Sequence, residues 1–476
     1  MNRVRESRSR RATALQRRTG VPRAGGRAGG ALLCLALAAT AAAQGQGVQV
    51  PEEVRANVRA RVDNGWSVGI VVGVVDSTGS RYFGYGSTAR SGGHPVNERT
   101  VYEIGSVTKV FTALALADMV AHGEVGLDDP VQRYLPDSVH VPSRPGHEIT
   151  LRLLSAQRSG LPRMPGNFAP ANPNNPYADY DAGLLYAFLN GYTLTRDPGA
   201  SYEYSNLGVG LLGVALSRRT GSSYEDLVLA RVIRPLHLAD TRITLTPGLS
   251  SRLARGYAGE REVSNWDFDA LAGAGALRST AADLTRFLAA AAGLVPTALD
   301  SAFRLTEAIQ FDAGPTLRIG LGWHVIGHDT STAYWHNGGT GGYHSFIGFD
   351  PRRKIGVVVL SNSGQSIDDI GFHVLNPGSP LTTVRVAVAM PADSLDAYVG
   401  EYRLAPTFAI TIRKDGGALV AQATGQGANP IYASARDEFF FRVVDAQLSF
   451  VRDSTGRVAS LILHQGGRDQ PAPRIP

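Results

Sequence analysis

Ser106 and Lys109 stand three residues apart in the run Tyr102-Glu103-Ile104-Gly105-Ser106-Val107-Thr108-Lys109-Val110-Phe111. On a helix that spacing puts both side chains on one face, with the hydroxyl at the N-terminal end, where free amides and the dipole favour a developing anion. The pair suits a serine nucleophile helped by an amine; taken alone it also fits a helix cap beside a solvated lysine. Composition adds weight to the chemical use. Of the 47 Lys+Arg only three are lysine, at 109, 354 and 414, so positions that merely want positive charge have received arginine. Lysine releases a proton when its surroundings lower its pKa, whereas a guanidinium effectively does not. Lys354 and Lys414 lie in turn-like runs and read as ordinary surface.

Two further segments carry side chains with chemistry. In Gly199-Ala200-Ser201-Tyr202-Glu203-Tyr204-Ser205-Asn206-Leu207, Tyr204 and Asn206 flank one residue just before a helix, and alternation places both on one side. Alone, they also read as a core tyrosine and a cap. Trp335-His336-Asn337-Gly338-Gly339-Thr340-Gly341-Gly342 precedes a strand and alone reads as a glycine-rich turn. Gly65-Trp66-Ser67-Val68-Gly69 matches G-x-S-x-G, but a nucleophile elbow requires strand, turn, then helix, and here a helix precedes and a strand follows. His324 and His328 lie four apart among strand-like residues without an acidic partner on a helix, and His147-Glu148 lacks the second histidine of a zinc-protease helix. No metal and no cofactor are expected.

The elements that position these residues are legible from periodicity. Pro51 to Val62 has helical spacing, and Ile70 to Val75 is a β-branched run bounded by Gly69 and Asp76. A helix is expected after Gly105, with Val107, Val110, Phe111, Leu114, Ala117 and Ala121 at helical intervals and Gly123 as its stop. Residues 163 to 181, rich in Pro, Asn and Gly, read as a long loop. Helices return at Leu207 to Arg218 and Ala281 to Ala292, strands at Ser345 to Phe349 and Ile355 to Leu360. Asn376 to Pro391 reads as a linker. Beyond it, Ala409 to Arg413, Leu419 to Ala421, Glu438 to Val443, Leu448 to Arg452 and Val458 to Leu463 are short β segments divided by turns, a small antiparallel module.

The start of the chain reads as a leader. Residues 1 to 30 carry nine arginines and one acid; the apolar run from Ala31 and the small-residue site Ala41-Ala42-Ala43 follow. That order is a secretory signal, with 13 largely apolar residues against the ~20 a spanning helix needs. Arg10-Arg11 hints at twin-arginine export, although Thr13 stands where an apolar residue is expected. The protein is therefore expected to be exported, periplasmic or secreted, without a membrane span once the leader is cut. Without the leader, 38 basic residues face 40 acidic ones, so the formal +6 becomes about −2 and a nucleic-acid partner is not expected. Cys34, the only cysteine, leaves with the leader, which removes disulfides and thiolate chemistry.

Taken in order, Ser106-x-x-Lys109, Tyr204-x-Asn206 and His336-x-Gly338 resemble the three boxes of the serine β-lactamase and penicillin-binding protein superfamily. The similar branch contains class C β-lactamases, D-alanyl-D-alanine carboxypeptidases, D-aminopeptidases and related esterases. The resemblance spans about 50 to 375 and includes Gly126-Leu127-Asp128-Asp129-Pro130-Val131, Tyr134-Leu135-Pro136, Ser159-Gly160-Leu161-Pro162 and Pro235-Leu236. It implies an α+β fold: an antiparallel sheet flanked by helices, with a helical subdomain. The domains are then 1–43 leader, 44–385 hydrolase and 392–476 a small β-barrel-like domain. Through Tyr398-Val399-Gly400-Glu401-Tyr402, that last domain resembles the lipocalin-like modules appended to this family.

Carried over residue by residue, the resemblance makes Ser106 the nucleophile, with Lys109 and Tyr204 sharing the proton transfers. Each needs a shift of about 3 units, roughly 4 kcal/mol, to work at neutral pH. A phenolate on Tyr204 is expected to gain from the ammonium beside it, and Asn206 to bond Lys109 and the substrate amide. The amides of Ser106 and Gly339 form the oxyanion hole, and Asn337 and Gly338 contact substrate. Where class C β-lactamases have Lys-Thr-Gly, this chain has His336-Asn337-Gly338, with a histidine expected to be partly charged near neutrality. The implied function is acyl-enzyme hydrolysis of a small-molecule ester, amide, D-aminoacyl peptide or lactam. The alternative is an inactive relative that binds or scaffolds.

Overall fold

The computed structural model describes residues 47–327 and 332–475; the expected leader and His328 lie outside the described residues. Helix α1 (Glu52–Asp63) leads through a turn into β1 (Gly69–Asp76) and β2 (Gly79–Gly86). The sheet also takes in β3 (Phe311–Asp312), β4 (Leu317–Ile319), β5 (His324–Ile326), β6 (Ala333–Gly339), β7 (His344–Asp350) and β8 (Ile355–Ser361). Their order across the sheet is β2-β1-β8-β7-β6-β5-β4-β3, with every neighbouring pair antiparallel. The turn before β1 holds Ser67 at 3% exposure, so the G-x-S-x-G run joins helix to strand as expected and offers no accessible hydroxyl.

Both faces of the sheet are covered, and that is why β1 reads as an unbroken apolar run rather than an alternating one. Ile70, Val72 and Val74 point into a core shared with α1 and with α5 (Asp368–Leu375). Val71 and Val75 point into the opposite core, which is filled from α2 (Thr108–Ala121) by Phe111 and Leu114 and from α4 (Ala281–Ala291) by Phe287 and Leu288. A third core belongs to the helical subdomain. There Leu116 and Met119 of α2 meet Leu151, Leu154, Leu185 and, from α3 (Asn206–Thr220), Leu207 and Leu211. Helix α2 is thus sandwiched between sheet and subdomain, with every residue from Thr108 to Met119 buried. Residues 163–181 form no helix or strand, which agrees with the loop expected there.

The C-terminal segment closes into an eight-stranded antiparallel barrel. Its strands are Gly400–Ala405, Phe408–Asp415, Ala418–Ala423, Asn429–Ala435, Glu438–Phe441, Ala446–Arg452, Val458–Gln465 and Arg468–Ile475. Five were expected; Gly400–Ala405, Asn429–Ala435 and Arg468–Ile475 are additions. The last of these escapes periodicity because Pro471 and Pro473 occupy its outward positions around buried Ala472. The barrel packs on the turn before β1, where the Trp66 and Phe440 rings stack at 6.0 Å. Trp66 Nε1 donates to the Arg385 carbonyl at 3.1 Å, and the Arg442 guanidinium lies 3.7 Å from the Tyr432 ring centroid. Among the described residues no helix is long and apolar enough to cross a membrane.

Candidate active site

Ser106 lies in a single 3-10 turn, Gly105–Val107, that runs directly into α2. Gly105 holds φ +48°, a backbone conformation costly for other residues. Ser106 is partly open to solvent, whereas Lys109, one turn on, is 1% exposed. Lys109 Nζ donates to Ser106 Oγ at 2.9 Å and to the Ala274 carbonyl at 2.7 Å. That carbonyl comes from a helical turn, Ala272–Gly275, wedged between α2 and α3, where Gly213 and Gly273 meet without side chains. The amine is therefore aimed by the fold rather than left to solvent. Lys354 and Lys414 have ordinary partners, the Ala292 carbonyl and the Asp396 carboxylate.

Tyr204 arrives from the extended segment before α3, its ring centroid 4.9 Å from Lys109 Nζ. Ser205 caps α3 by accepting from the Gly208 amide at 2.8 Å, which fixes the residues on either side of it. Burial pushes the Lys109 amine well below its ordinary value, with the positive charge of Arg163 acting in the same direction. Burial also pushes the Tyr204 phenol far above its ordinary value, opposed by a hydrogen bond with Ser106. Both shifts run toward the neutral form, and burial is the larger cause in each, whereas the phenolate expected from the sequence gains from an ammonium beside it.

The third box lies on β6. Gly338 packs against the turn that holds Ser106 so closely that a Cβ there would meet the Ile104 carbonyl at 2.0 Å and the Ser106 amide at 2.8 Å. The His336 ring stacks on His324 with centroids 4.9 Å apart and lies 6.2 Å from Tyr204. His336 is 2% exposed, and burial pushes its pKa well below the ordinary value, with His324 and Lys109 adding to the effect. Burial likewise lowers His324 to about 4. The partly charged His336 expected near neutrality is therefore corrected to a neutral one. Asn337, next along the strand, donates one amide N–H to Asp368 at 2.6 Å. Asn206 is not bonded to Lys109. Its Nδ2 donates to the Tyr177 hydroxyl at 3.4 Å, and its Oδ1 is buried without a partner among the described residues.

Several neighbours were not singled out from the sequence. His324, weighed there only as a metal ligand, accepts or donates a 3.1 Å bond with the Tyr202 hydroxyl and completes the stack on His336. Arg163, one of 44 arginines, lies 5.1 Å from the Tyr204 ring centroid. Tyr177 stacks on Phe268 at 4.5 Å and meets Trp266 at 5.3 Å, an aromatic wall beside Asn206. No group of three or more metal-ligating side chains occurs among the described residues.

A family model described as Beta-lactamase matches residues 54–373, and a second, described as a domain of unknown function (DUF3471), matches 384–473. The chain is 26% identical over 368 residues to a Beta-lactamase of Escherichia coli (strain K12), covering 69% of this chain and 93% of that protein. It is 26% identical over 427 residues to Penicillin-binding protein 4* of Bacillus subtilis (strain 168), covering 82% and 91%. Among solved structures, the Beta-lactamase/D-alanine carboxypeptidase from Yersinia pestis, complexed with citrate, aligns at 25% identity with a TM-score of 0.58, covering 65% of this chain and 92% of that one.

Proposed function

Because the chain belongs to the Beta-lactamase family and is a serine hydrolase by that membership, we propose that Ser106 forms an acyl-enzyme with an ester or amide substrate. The observation that supports this most is the 2.9 Å contact between Ser106 Oγ and a buried amine whose pKa burial pushes well below its ordinary value. Neutral Lys109 takes the Ser106 proton as Oγ attacks the carbonyl carbon. The tetrahedral oxyanion sits between the Ser106 and Gly339 amides. When the bond to the leaving group breaks, Tyr204, kept protonated by burial, gives it a proton and is reprotonated by the Lys109 ammonium. Water then attacks the ester by the same route reversed, the proton passing back to Ser106 Oγ.

The third box favours esters, D-aminoacyl amides and carboxypeptidase-type peptides over lactams. Neutral His336 and the Asn337 amide leave no cation or hydroxyl where class C enzymes, which this chain resembles, have lysine and threonine. The arginine-rich leader fits export to the periplasm or beyond, and the barrel beyond about residue 392 fits a lipocalin-like module whose contribution is stability. The test is turnover of a panel containing a nitrophenyl ester, a D-aminoacyl anilide and a chromogenic cephalosporin. Ester or anilide turnover that vanishes in Ser106→Ala is expected. A wild-type protein that turns over none of the three contradicts the enzyme reading.

A further inference from the structure

Arg163 follows Ser159-Gly160-Leu161-Pro162 at the start of the long loop, where its side chain is exposed. Its backbone is nonetheless fixed, because its carbonyl accepts from the Asn206 amide at 3.0 Å and the Leu207 amide at 3.3 Å. The guanidinium is held over the Tyr204 ring, and its charge acts on Tyr177 and Tyr202 as well. Its side chain has no carboxylate and no hydrogen-bond partner among the described residues. Three other arginines of this domain are paired, Arg152 with Asp128, Arg252 with Asp240 and Arg278 with Glu103, whereas Arg158, like Arg163, lies over an aromatic ring with no carboxylate among the described residues. Around Arg163 the site offers tyrosine hydroxyls, a buried unpartnered Asn206 Oδ1 and two neutral histidines. A cation left unpaired at the mouth of a site is ready for an anion from outside.

We propose that Arg163 is a specificity residue that holds a carboxylate of the substrate, so that this hydrolase prefers esters or amides bearing an acid group. The inference rests on Ser106 being the nucleophile and adds the substrate class. It also accounts for the third box: the cation missing from position 336 is supplied from the loop after Pro162, over the Tyr204 ring. An arginine fork binds a carboxylate in two parallel bonds and keeps its charge at every pH at which the enzyme is folded.

The experiment compares kcat/KM for two matched pairs of substrates. One carries the acid on the acyl side, 4-nitrophenyl hemiglutarate against 4-nitrophenyl methyl glutarate. The other carries it on the leaving group, 3-acetoxybenzoate against 3-acetoxybenzamide. Wild type is expected to favour the acid in at least one pair. Arg163→Gln is expected to cut that acid-to-neutral ratio ten- to hundredfold, the worth of one charge-assisted contact, and Arg163→Glu to invert it. A ratio unchanged in both variants, or no preference by wild type in either pair, overturns the proposal. Labelling of wild type with a neutral fluorophosphonate separates the two claims. Labelling at Ser106 with no acid preference defeats the role of Arg163 alone, whereas no labelling and no turnover defeat the serine-hydrolase reading beneath it.

Discussion

Replacing Lys109 by methionine tests whether the amine is held neutral, through stability rather than activity. Lys109 is 1% exposed and its pKa is lowered chiefly by burial, while in the unfolded chain it titrates near ~10.4. Between the folded and unfolded values, the unfolded state therefore binds about one more proton than the native state. Stability contributed at this position falls by about 1.4 kcal/mol for each pH unit lowered and levels off only below the folded value. Methionine fills similar volume and does not titrate. The stability difference, Lys109→Met minus wild type, is therefore expected to rise by about 1.4 kcal/mol per unit as pH falls from 9.5. The constant offset from the lost bond to the Ala274 carbonyl does not alter that slope. Denaturant unfolding followed by tryptophan fluorescence is the assay, because Trp66, Trp266, Trp323 and Trp335 all lie outside the barrel and report the domain that holds Lys109. The pH at which the difference flattens should coincide with the acid limb of kcat/KM. Parallel curves from pH 6.5 to 9.5 would refute the neutral-amine argument.

Three further outcomes follow from the same geometry. Lys109→Arg should be nearly as inactive as Lys109→Ala, since a guanidinium does not accept the serine proton; most activity retained by arginine sinks the requirement for a titrating amine. Gly338→Ala, whose Cβ would press on the Ile104 carbonyl and the Ser106 amide, should lose about 10²- to 10³-fold in kcat and about 1–3 kcal/mol in stability. Gly339→Ala, whose Cβ meets nothing closer than 4.0 Å, should leave stability near wild type, so equal destabilisation of the two would contradict the packing described. Trp66→Ala, which removes the ring stacked on Phe440, should cost about 1–3 kcal/mol in thermal unfolding with kcat/KM kept; loss of activity without loss of stability would give the barrel a part in catalysis.

The parts of the fold visible in the sequence were those where one local rule acted alone. The spacing of Ser106 and Lys109 survived into the structure because the 3-10 turn holding Ser106 runs straight into α2 and keeps residues three apart on one face. Strands β1 and β8 were visible because both their faces are apolar. Arg468–Ile475 was not, because outward prolines break the usual strand signature without breaking the ladder on its inward side. Charge states were the least accessible. Whether Tyr204 is a phenolate or a phenol depends on how much water remains around it, a property of elements separated by more than a hundred residues. His324 and Arg163 joined the site for the same reason: neither has a neighbour in sequence that marks it, and only folding of the sheet and the long loop places them beside Tyr204.

The central claim is that Ser106 becomes acylated. Protein mixed with a slowly hydrolysed nitrophenyl ester, quenched in acid within seconds and analysed by intact mass and peptide mapping, should gain one acyl group on the peptide containing Ser106, and Ser106→Ala should gain none. An acyl group that persists in Ser106→Ala, or that maps to another residue, would contradict the account.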